Sequence, residues 1–255
     1  MNILEIKNLS FSYGGEPVLE NICLNVKEKE FVSIVGPNGS GKSTLVKCIC
    51  NILDSNRSVS LFGKTKEEYS SGELAKIISY VPQSLSGDFR YTVWEFLLMS
   101  RYAYLGAFSS LSKSDYDACA KALALTDTEK YKNRIMSGLS GGERQKILVA
   151  AAVAQESEIM LLDEPATYLD PRHVAETMKI IKKANENCAV VTVTHDLNSV
   201  FMGDRVVAVK EGKIVFDNTP IAFFESKSAE KIFDTEFLYI KEEENYYILP
   251  KHRKL

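Results

Sequence analysis

The fold is decided by the stretch Gly36-Pro37-Asn38-Gly39-Ser40-Gly41-Lys42-Ser43-Thr44, in a chain of 255 residues. The stretch matches G-x-x-x-x-G-K-[S/T], the pattern of a loop that cradles phosphates. A short β-rich run, Phe31–Val35, leads into it, and an apolar helical run, Leu45–Ile52, leads out. An ordinary glycine-rich turn between a strand and a helix is the alternative interpretation. The lysine and hydroxyl at the helix start favour phosphate binding.

Each residue type in this loop has a chemical reason. Gly36, Gly39 and Gly41 let the backbone turn tightly and bring its N–H groups to phosphate oxygens. The helix that follows adds the positive end of its dipole. Lys42 supplies a compact charge for β- and γ-phosphates, and the Ser43 hydroxyl can ligate Mg²⁺.

Composition narrows the class of protein. The net charge of −3, from 31 basic and 34 acidic residues, argues against a protein that coats nucleic acid. No apolar run has the length of a membrane span, and the N-terminus alternates like a strand rather than a signal peptide. We therefore expect a soluble, cytosolic protein. The five cysteines include no C-x-x-C pair and are interpreted as small buried hydrophobes.

Strand and helix patterns alternate along the chain, which predicts a doubly wound α/β core. Residues 3–26 predict antiparallel strands around Gly14-Gly15, and residues 92–132 predict a helical insertion. Ile159–Asp163 is a continuous apolar run, typical of a parallel strand buried on both faces. The other predicted elements are a helix from Gly141 to about Gln155, a helix from Pro171 to about Asn185, a strand Ala189–Thr194, a hairpin around Glu211-Gly212, a helix near Ser226–Phe233, and two late β-rich runs, Phe237–Ile240 and Tyr246–Leu249.

Two acids follow the apolar run. An acid at the carboxyl end of a central strand faces the ligand crevice of an α/β sheet. Asp163 can hold Mg²⁺, and Glu164 can polarise an attacking water as general base. The alternative is that Asp-Glu-Pro simply ends the strand.

A third motif is Leu139-Ser140-Gly141-Gly142-Glu143-Arg144-Gln145. Ser140 and Glu143 predict a capping box for the helix that follows. The capping box does not explain Gly141 and Gly142, because each glycine in a helix lowers its stability by about 1 kcal/mol relative to alanine. Glycines there permit an anion to approach the backbone closely. The motif therefore predicts a second anion site, without a lysine.

In their order and spacing, Gly36–Thr44, Leu139–Gln145 and Ile159–Pro165 resemble the nucleotide-binding subunit of an ABC transporter. The resemblance covers essentially the whole chain. It implies a P-loop NTPase fold with an antiparallel β subdomain, a RecA-like, mostly parallel core and an inserted α-helical subdomain. The chain is then one ABC ATPase domain, 1–255, with the helical subdomain at about 84–138 and a tail at about 219–255. Ala151 departs from the family, where an arginine is common at this position.

The resemblance also implies ATP and Mg²⁺ as cofactors and gives roles to single residues. Tyr13 matches the aromatic that stacks on adenine, although it could be an edge-strand aromatic. His195 matches the switch histidine that contacts the γ-phosphate, although the residues alone favour a capping or core position. Tyr168-Leu169-Asp170 matches a loop that crosses the dimer interface. The implied catalytic residues are Lys42, Gln83, Glu164 and His195; the nucleotide ligands are Tyr13, Gly36–Thr44, Ser140, Gly141, Gly142 and Asp170; and the metal ligands are Ser43, Gln83 and Asp163.

Partners follow from the same resemblance. We expect an ATP-dependent homodimer, because the family places the signature of one copy against the phosphate loop of the other. We also expect integral membrane permease subunits, contacted near residues 84–110, and an indirect link to an extracytoplasmic solute-binding protein. Nucleic acid is not expected. The implied location is the cytoplasmic face of the membrane.

The segment Ser100-Arg101-Tyr102-Ala103-Tyr104-Leu105-Gly106 is similar to the Gly-Arg-x-Pro-Tyr region of iron-chelate, heme and cobalamin importers. Ser100 and Ala103 replace the usual glycine and proline, and the segment could also be a packing loop. Import of zinc or manganese is the nearest alternative. A soluble ABC ATPase of a cytosolic assembly system is another, which Leu139 and Arg144 argue against.

Overall fold

The computed structural model describes residues 1–85, 87, 89–106, 110–167 and 169–251. Two compact units divide the chain. The first unit consists of Met1–Glu68 and Val191–Leu255, and the second unit is Tyr69–Val190. The second unit is therefore an insertion into the sequence of the first.

An antiparallel sheet forms one part of the first unit. Its strands are β1 (Asn2–Ser12), β2 (Pro17–Lys27), β4 (Val59–Leu61) and β5 (Lys64–Thr65), in the order β2-β1-β4-β5. Leu4 pairs with Val26 on one side and with Leu61 on the other, and all three side chains are fully buried. This register puts the apolar positions of three strands on one face, as the alternation in the sequence predicts.

The phosphate loop is carried by core strands of the same unit. β3 (Phe31–Val35) pairs in parallel with β9 (Arg205–Lys210), and β9 pairs antiparallel with β10 (Lys213–Asn218). All five residues of β3 are buried, which fits a strand covered on both faces. Helix α1 (Lys42–Ile49) follows the loop. The predicted α/β fold, with an antiparallel sheet and mostly parallel core strands, is confirmed.

The tail of the first unit contains two short helices and a hairpin. These are α7 (Pro220–Glu225), α8 (Ser228–Phe233), β11 (Phe237–Glu242) and β12 (Asn245–Pro250). The sequence predicts one helix near Ser226–Phe233, but the chain turns at Lys227, whose φ is 49°. A non-glycine residue in this left-handed conformation interrupts a helix. An additional helix therefore precedes the predicted one.

The second unit is mainly helical. It contains α2 (Ser71–Ile77), α3 (Val93–Met99), α4 (Lys113–Leu125), α5 (Gly141–Ala154) and α6 (Pro171–Ala184). Strands β6 (Ile78–Val81) and β7 (Ile159–Asp163) pair in parallel, and β8 (Ala189–Val193) begins in this unit and ends in the first. A buried cluster that includes Val93, Leu97, Ala122 and Ile147 joins α3, α4 and α5.

The starts of α2, α3 and α5 each carry a capping box. The pairs are Ser70 with Glu73 for α2, Thr92 with Glu95 for α3, and Ser140 with Glu143 for α5. Each box satisfies two backbone N–H groups that a helix start would otherwise leave unpaired. These helices therefore begin where the local sequence specifies.

Three of the five cysteines lie in the interior. Cys48, Cys119 and Cys188 are buried, Cys50 is half-buried and Cys23 is exposed. Burial raises the pKa of the Cys48, Cys119 and Cys188 thiols to about 11, because it penalises the thiolate. Within the described part of the chain, no helix combines the length and apolarity that crossing a bilayer requires.

Candidate functional site

The phosphate loop has the backbone geometry that its glycines suggest. Gly36 has φ of 149°, and a Cβ atom there would lie 2.0 Å from the carbonyl oxygen of Val209. Gly41 has φ of 102°, and a Cβ atom there would lie 2.8 Å from the carbonyl oxygen of Val18. Both positions combine a left-handed conformation with close backbone packing, so only glycine fits them. The loop is thereby held between β3, β2 and β9.

Lys42 begins helix α1 and is 6% exposed. Its Nζ donates to the carbonyl oxygens of Gly36 at 2.8 Å and of Pro37 at 2.7 Å. The side chain therefore folds back along the loop, with its charge beside the carbonyls of Gly36 and Pro37. The first turn of α1 contains no acidic residue, so no fixed negative charge there opposes a bound anion.

Tyr13 stands at the end of β1 with 63% of its surface exposed. Its ring packs edge-on against Phe11 at 4.9 Å, and its hydroxyl lies 3.4 Å from Oγ1 of Thr44 on α1. The ring is thus held beside the loop while much of it remains in solvent. A planar base can stack on an aromatic ring presented in this way.

His195 lies on the turn that follows β8, and its side chain is exposed. The neighbouring Asp196 N–H donates to Oγ1 of Thr194 at 3.0 Å, and the Thr194 N–H donates to the carbonyl of Ile34 at 3.0 Å. These bonds attach the turn to β3, the strand that leads into the phosphate loop. The residues alone favour a capping or core position for His195, and its exposure excludes the core position.

The acidic candidate residues, Asp163 and Glu164, belong to the second unit. Asp163 ends β7 and is 4% exposed, and Glu164 follows it with φ of 51°. Oε2 of Glu164 accepts from Nε2 of Gln83 at 2.9 Å and from Oγ1 of Thr167 at 2.7 Å. Two donors therefore orient this carboxylate. The structure brings Gln83 and Glu164 together, and it adds Thr167, which sequence reasoning missed.

The signature motif forms the predicted capping box. The Ser140 N–H donates to Oε2 of Glu143 at 2.8 Å, and the Glu143 N–H donates to Oγ of Ser140 at 3.3 Å. The bond from the Ser140 backbone holds the pKa of the Glu143 carboxyl below its usual value. The Ser140 N–H is consequently occupied, and its hydroxyl also bonds the Glu143 carboxyl. The N–H groups of Gly141 and Gly142, in the first turn of the helix, are donors that a helix start offers to an anion.

Gly141 has no steric reason within the chain to be glycine. A Cβ atom at this position would meet nothing within 4 Å, and its φ lies outside the left-handed range. At Gly142 a Cβ atom would approach the ring of His173 at 3.4 Å. Gly141 therefore weakens the exposed start of α5, and no contact within the chain requires a glycine there. Glycine at this position leaves the backbone open to close approach from outside the chain.

Asp170 caps helix α6. Its Oδ1 accepts from the His173 N–H at 3.0 Å, and its Oδ2 lies 2.6 Å from Nδ1 of His173. The bond from the His173 backbone lowers the pKa of the Asp170 carboxyl. Tyr168, in the same predicted interface loop, lies outside the described residues.

Comparison with known proteins identifies the class. The family model described as "ABC transporter" matches residues 19–167. The petrobactin import ATP-binding protein of Bacillus anthracis is 31% identical over 253 residues, which cover 98% of this chain and 93% of that protein. The ferric enterobactin transport ATP-binding protein of Escherichia coli K12 is 32% identical over 238 residues, covering 92% of this chain and 88% of that protein.

Solved structures of ABC transporter proteins share the fold of this chain. A transporter described as of the metal-chelate type, in an inward-facing conformation, superposes with a TM-score of 0.84 at 24% identity and covers 99% of both chains. A bacterial ABC transporter cassette, solved as a dimer, has a TM-score of 0.75 at 29% identity and covers 86% of this chain and 99% of its own.

The chain belongs to the ABC transporter family and is one of its ATP-binding, ATP-hydrolysing subunits. Within that family its relatives include ATP-binding proteins for the import of siderophores and hemin.

Proposed function

We propose that this chain is the subunit that hydrolyses ATP to drive a bacterial-type importer of an iron chelate, heme or cobalamin. The observation that carries the catalytic part of the proposal is the Glu164 carboxylate, which Gln83 and Thr167 orient at the end of a buried strand. The observation that carries the substrate class is the set of relatives named for petrobactin, ferric enterobactin, iron(3+)-hydroxamate and hemin. Cobalamin is included because residues 100–106 resemble a region of iron-chelate, heme and cobalamin importers.

The first unit binds the nucleotide in this proposal. The backbone N–H groups of the phosphate loop and the start of α1 hold the phosphates. Lys42 leaves one or both of its carbonyl partners and neutralises charge on the β- and γ-phosphates. Tyr13 stacks on the adenine, and His195 contacts the γ-phosphate from its exposed turn. Preorganised donors of this kind stabilise the charge that develops during phosphoryl transfer.

The residues present fit Mg²⁺. Ser43, Gln83 and Asp163 offer a hydroxyl, an amide oxygen and a carboxylate, which are the hard oxygen ligands that Mg²⁺ takes together with water and phosphate. Asp163 is nearly fully buried at the end of a strand, which suits a carboxylate whose charge a cation balances. When bound, the ion neutralises negative charge on the β- and γ-phosphates.

Glu164 acts as the general base in this mechanism. Its carboxylate receives the proton of the attacking water, and the bonds from Gln83 and Thr167 keep one of its oxygens fixed. A base held by two donors reaches its working geometry without reorganising first.

The active form is a homodimer with two composite sites. The signature of one copy donates to the γ-phosphate held by the loop of the other, with Ser140, Gly141 and Gly142 as donors and Asp170 near the interface. The unexplained glycine at position 141 supports this arrangement, because it admits a group from outside the chain. A related bacterial ABC transporter cassette has been solved as a dimer. A two-fold contact makes both sites identical.

The membrane partner binds near residues 84–110 in this proposal, which makes the chain a peripheral protein of the cytoplasmic face. Tyr102 is 58% exposed and Tyr91 is 49% exposed, so this segment presents aromatic side chains to solvent. Phe108, another aromatic residue of this segment, lies outside the described residues. The solute-binding protein would act only through the permease.

The same segment is joined to the signature helix. Arg101 is 4% exposed; its Nη1 donates to the carbonyl of Ala154 at 2.7 Å and its Nε to Oδ1 of Asp115 at 3.0 Å. The Tyr104 hydroxyl donates to the carbonyl of Gln155 at 2.9 Å. Movement imposed on this segment would therefore reach the end of α5.

The test is reconstitution in liposomes with a permease that co-purifies with this chain. We expect ATP-dependent uptake of a radioiron-loaded siderophore or heme, and none with Glu164→Gln. Uptake of zinc or manganese instead would overturn the substrate class, and failure to associate with any membrane subunit would overturn the importer assignment.

A further inference from the structure

We propose that Asn198 is a positioning residue for ATP hydrolysis, through which the C-terminal hairpin β11–β12 fixes the turn that carries His195. The inference rests on the proposed function of His195 and adds a device that sets its position. His195, Asn198 and the hairpin all belong to the first unit.

The link is a single hydrogen bond between distant parts of the chain. The backbone N–H of Ile248, on β12, donates to Oδ1 of Asn198 at 2.9 Å. Ile248 is 2% exposed, so its N–H lies where water does not readily replace a lost partner. The bond thus constrains the Asn198 side chain and the strand together.

The backbone of Asn198 belongs to the turn that carries His195. Its backbone N–H donates to Oδ1 of Asp196 at 2.9 Å, and the Asp196 N–H donates to Oγ1 of Thr194 at 3.0 Å. The Ser199 hydroxyl donates to the carbonyl of Asp196 at 2.7 Å. These bonds hold the residues of the turn to one another. The Asn198 side chain, by contrast, bonds the turn to the hairpin.

Apolar packing reinforces the connection. Leu197 and Ile248 share a buried cluster with Val35, the residue that precedes the phosphate loop. The ring of Phe201 stacks on that of Tyr246 at 5.4 Å with an interplanar angle of 19°. Packing holds the two elements against each other, whereas the directional bond from Asn198 sets the register between them.

The functional consequence concerns turnover rather than binding. An exposed histidine must hold its ring at one distance from the γ-phosphate to be useful, and errors of about 1 Å in such placements lower rates strongly. Loss of the Asn198 bond would let the turn shift relative to β3. ATP affinity, which the proposed function assigns mainly to the phosphate loop and Tyr13, should change little.

The experiment is a double-mutant cycle on the purified full chain. Asn198→Ala should lower kcat for ATP about tenfold, equivalent to about 1.4 kcal/mol, with KM changed less than about twofold. Asn198→Asp, which retains an oxygen acceptor, should recover most of the activity. In a His195→Ala background, Asn198→Ala should cause no further loss, because both changes remove the same interaction. Tyr247→Ala, an exposed neighbour on β12, is the matched control.

Each outcome is decisive. The inference is wrong if Asn198→Ala keeps the parental turnover. It is also wrong if Asn198→Ala lowers kcat equally in the parental and His195→Ala backgrounds, because an equal loss would indicate general destabilisation. If Asn198→Ala does not fold, Asn198→Ser provides the same test, since its shorter side chain does not reach the Ile248 N–H. If His195→Ala itself keeps parental turnover, the proposed role of His195 fails. If His195→Ala is impaired and Asn198→Ala is not, only the present inference fails.

Discussion

Nε2 of Gln83 lies 2.9 Å from Oε2 of Glu164, and this contact connects the carboxyl ends of the paired strands β6 and β7. The two residues are 81 positions apart in the sequence. Gln83 also immediately precedes the segment, residues 84–110, that we propose contacts the permease. Any displacement of that segment therefore acts directly on the carboxylate that we propose as general base.

Glu164→Gln should retain ATP binding and lose about 10²–10⁴-fold in turnover, because glutamine keeps the shape and removes the base. Steady-state Mg-ATP hydrolysis and nucleotide binding measure the two effects. Asp163→Asn should instead raise the Mg²⁺ concentration needed for activity. Glu186→Gln, an exposed acid of the same unit, serves as control. Hydrolysis by Glu164→Gln at the parental rate would exclude Glu164 as the base.

Lys42→Ala should abolish ATP hydrolysis, with a loss of at least about a hundredfold, since the loop otherwise offers only neutral donors. Nucleotide affinity should fall as well, because the substitution removes the positive charge and leaves the carbonyls of Gly36 and Pro37 without this donor. Lys47→Ala, on the last turn of the same helix, is the control for loss of a positive charge. Near-normal turnover in Lys42→Ala would contradict the phosphate-loop assignment.

Gly141→Ala should leave thermal stability unchanged or raise it, while lowering ATP turnover. The added Cβ meets nothing inside the chain, and alanine favours a helix over glycine by about 1 kcal/mol. In the proposed dimer the same Cβ would stand between α5 and a phosphate. Thermal unfolding and steady-state hydrolysis measure the two effects. Full activity in this variant would mean that nothing from outside approaches position 141.

Glu164→Gln should sediment as a dimer in the presence of Mg-ATP and as a monomer without it. Slow hydrolysis preserves the nucleotide that bridges the copies, and a two-fold contact then buries two ATP molecules. Adding Ser140→Arg should block the shift, because a bulky side chain at the start of α5 obstructs the partner's phosphates. A double variant that still dimerises with ATP is incompatible with composite sites.

Single cysteines at exposed positions of residues 102–106 should crosslink to cytoplasmic loops of the permease, and ATP should change the yield. Tyr102 is the first choice because it is 58% exposed. A cysteine at Glu186, an exposed residue of the same unit outside the predicted contact segment, should not crosslink. Uniform failure in a complex that still transports would move the interface elsewhere.

The sequence alone predicted those parts of the site that local chemistry specifies. The loop from Gly36 to Gly41 could be recognised because its glycines are required by the backbone itself. Strands β3 and β7 could be recognised because a strand buried on both faces is mostly apolar. The start of α5 could be recognised because its capping box is encoded within four residues.

Other features escaped prediction for physical reasons. Helix α2 buries only Leu74, so it shows no helical periodicity, and its capping box was the one available signal. Helix α7 has a recognisable start, Thr219 followed by Pro220, but it spans only six residues and so shows no clear helical periodicity. Asn198 offered no signal, since its partner Ile248 lies 50 residues away and the bond involves a backbone N–H that every residue but proline has.

The buried cysteines bear on how this ATPase withstands oxidants. Peroxide attacks the thiolate, and thiols with a pKa of about 11 are ionised at neutral pH in only about one molecule in ten thousand. Cys48, on the helix that follows the phosphate loop, is among these protected thiols. Oxidation should therefore begin at the exposed Cys23, and the enzyme should keep its turnover after that thiol has been consumed.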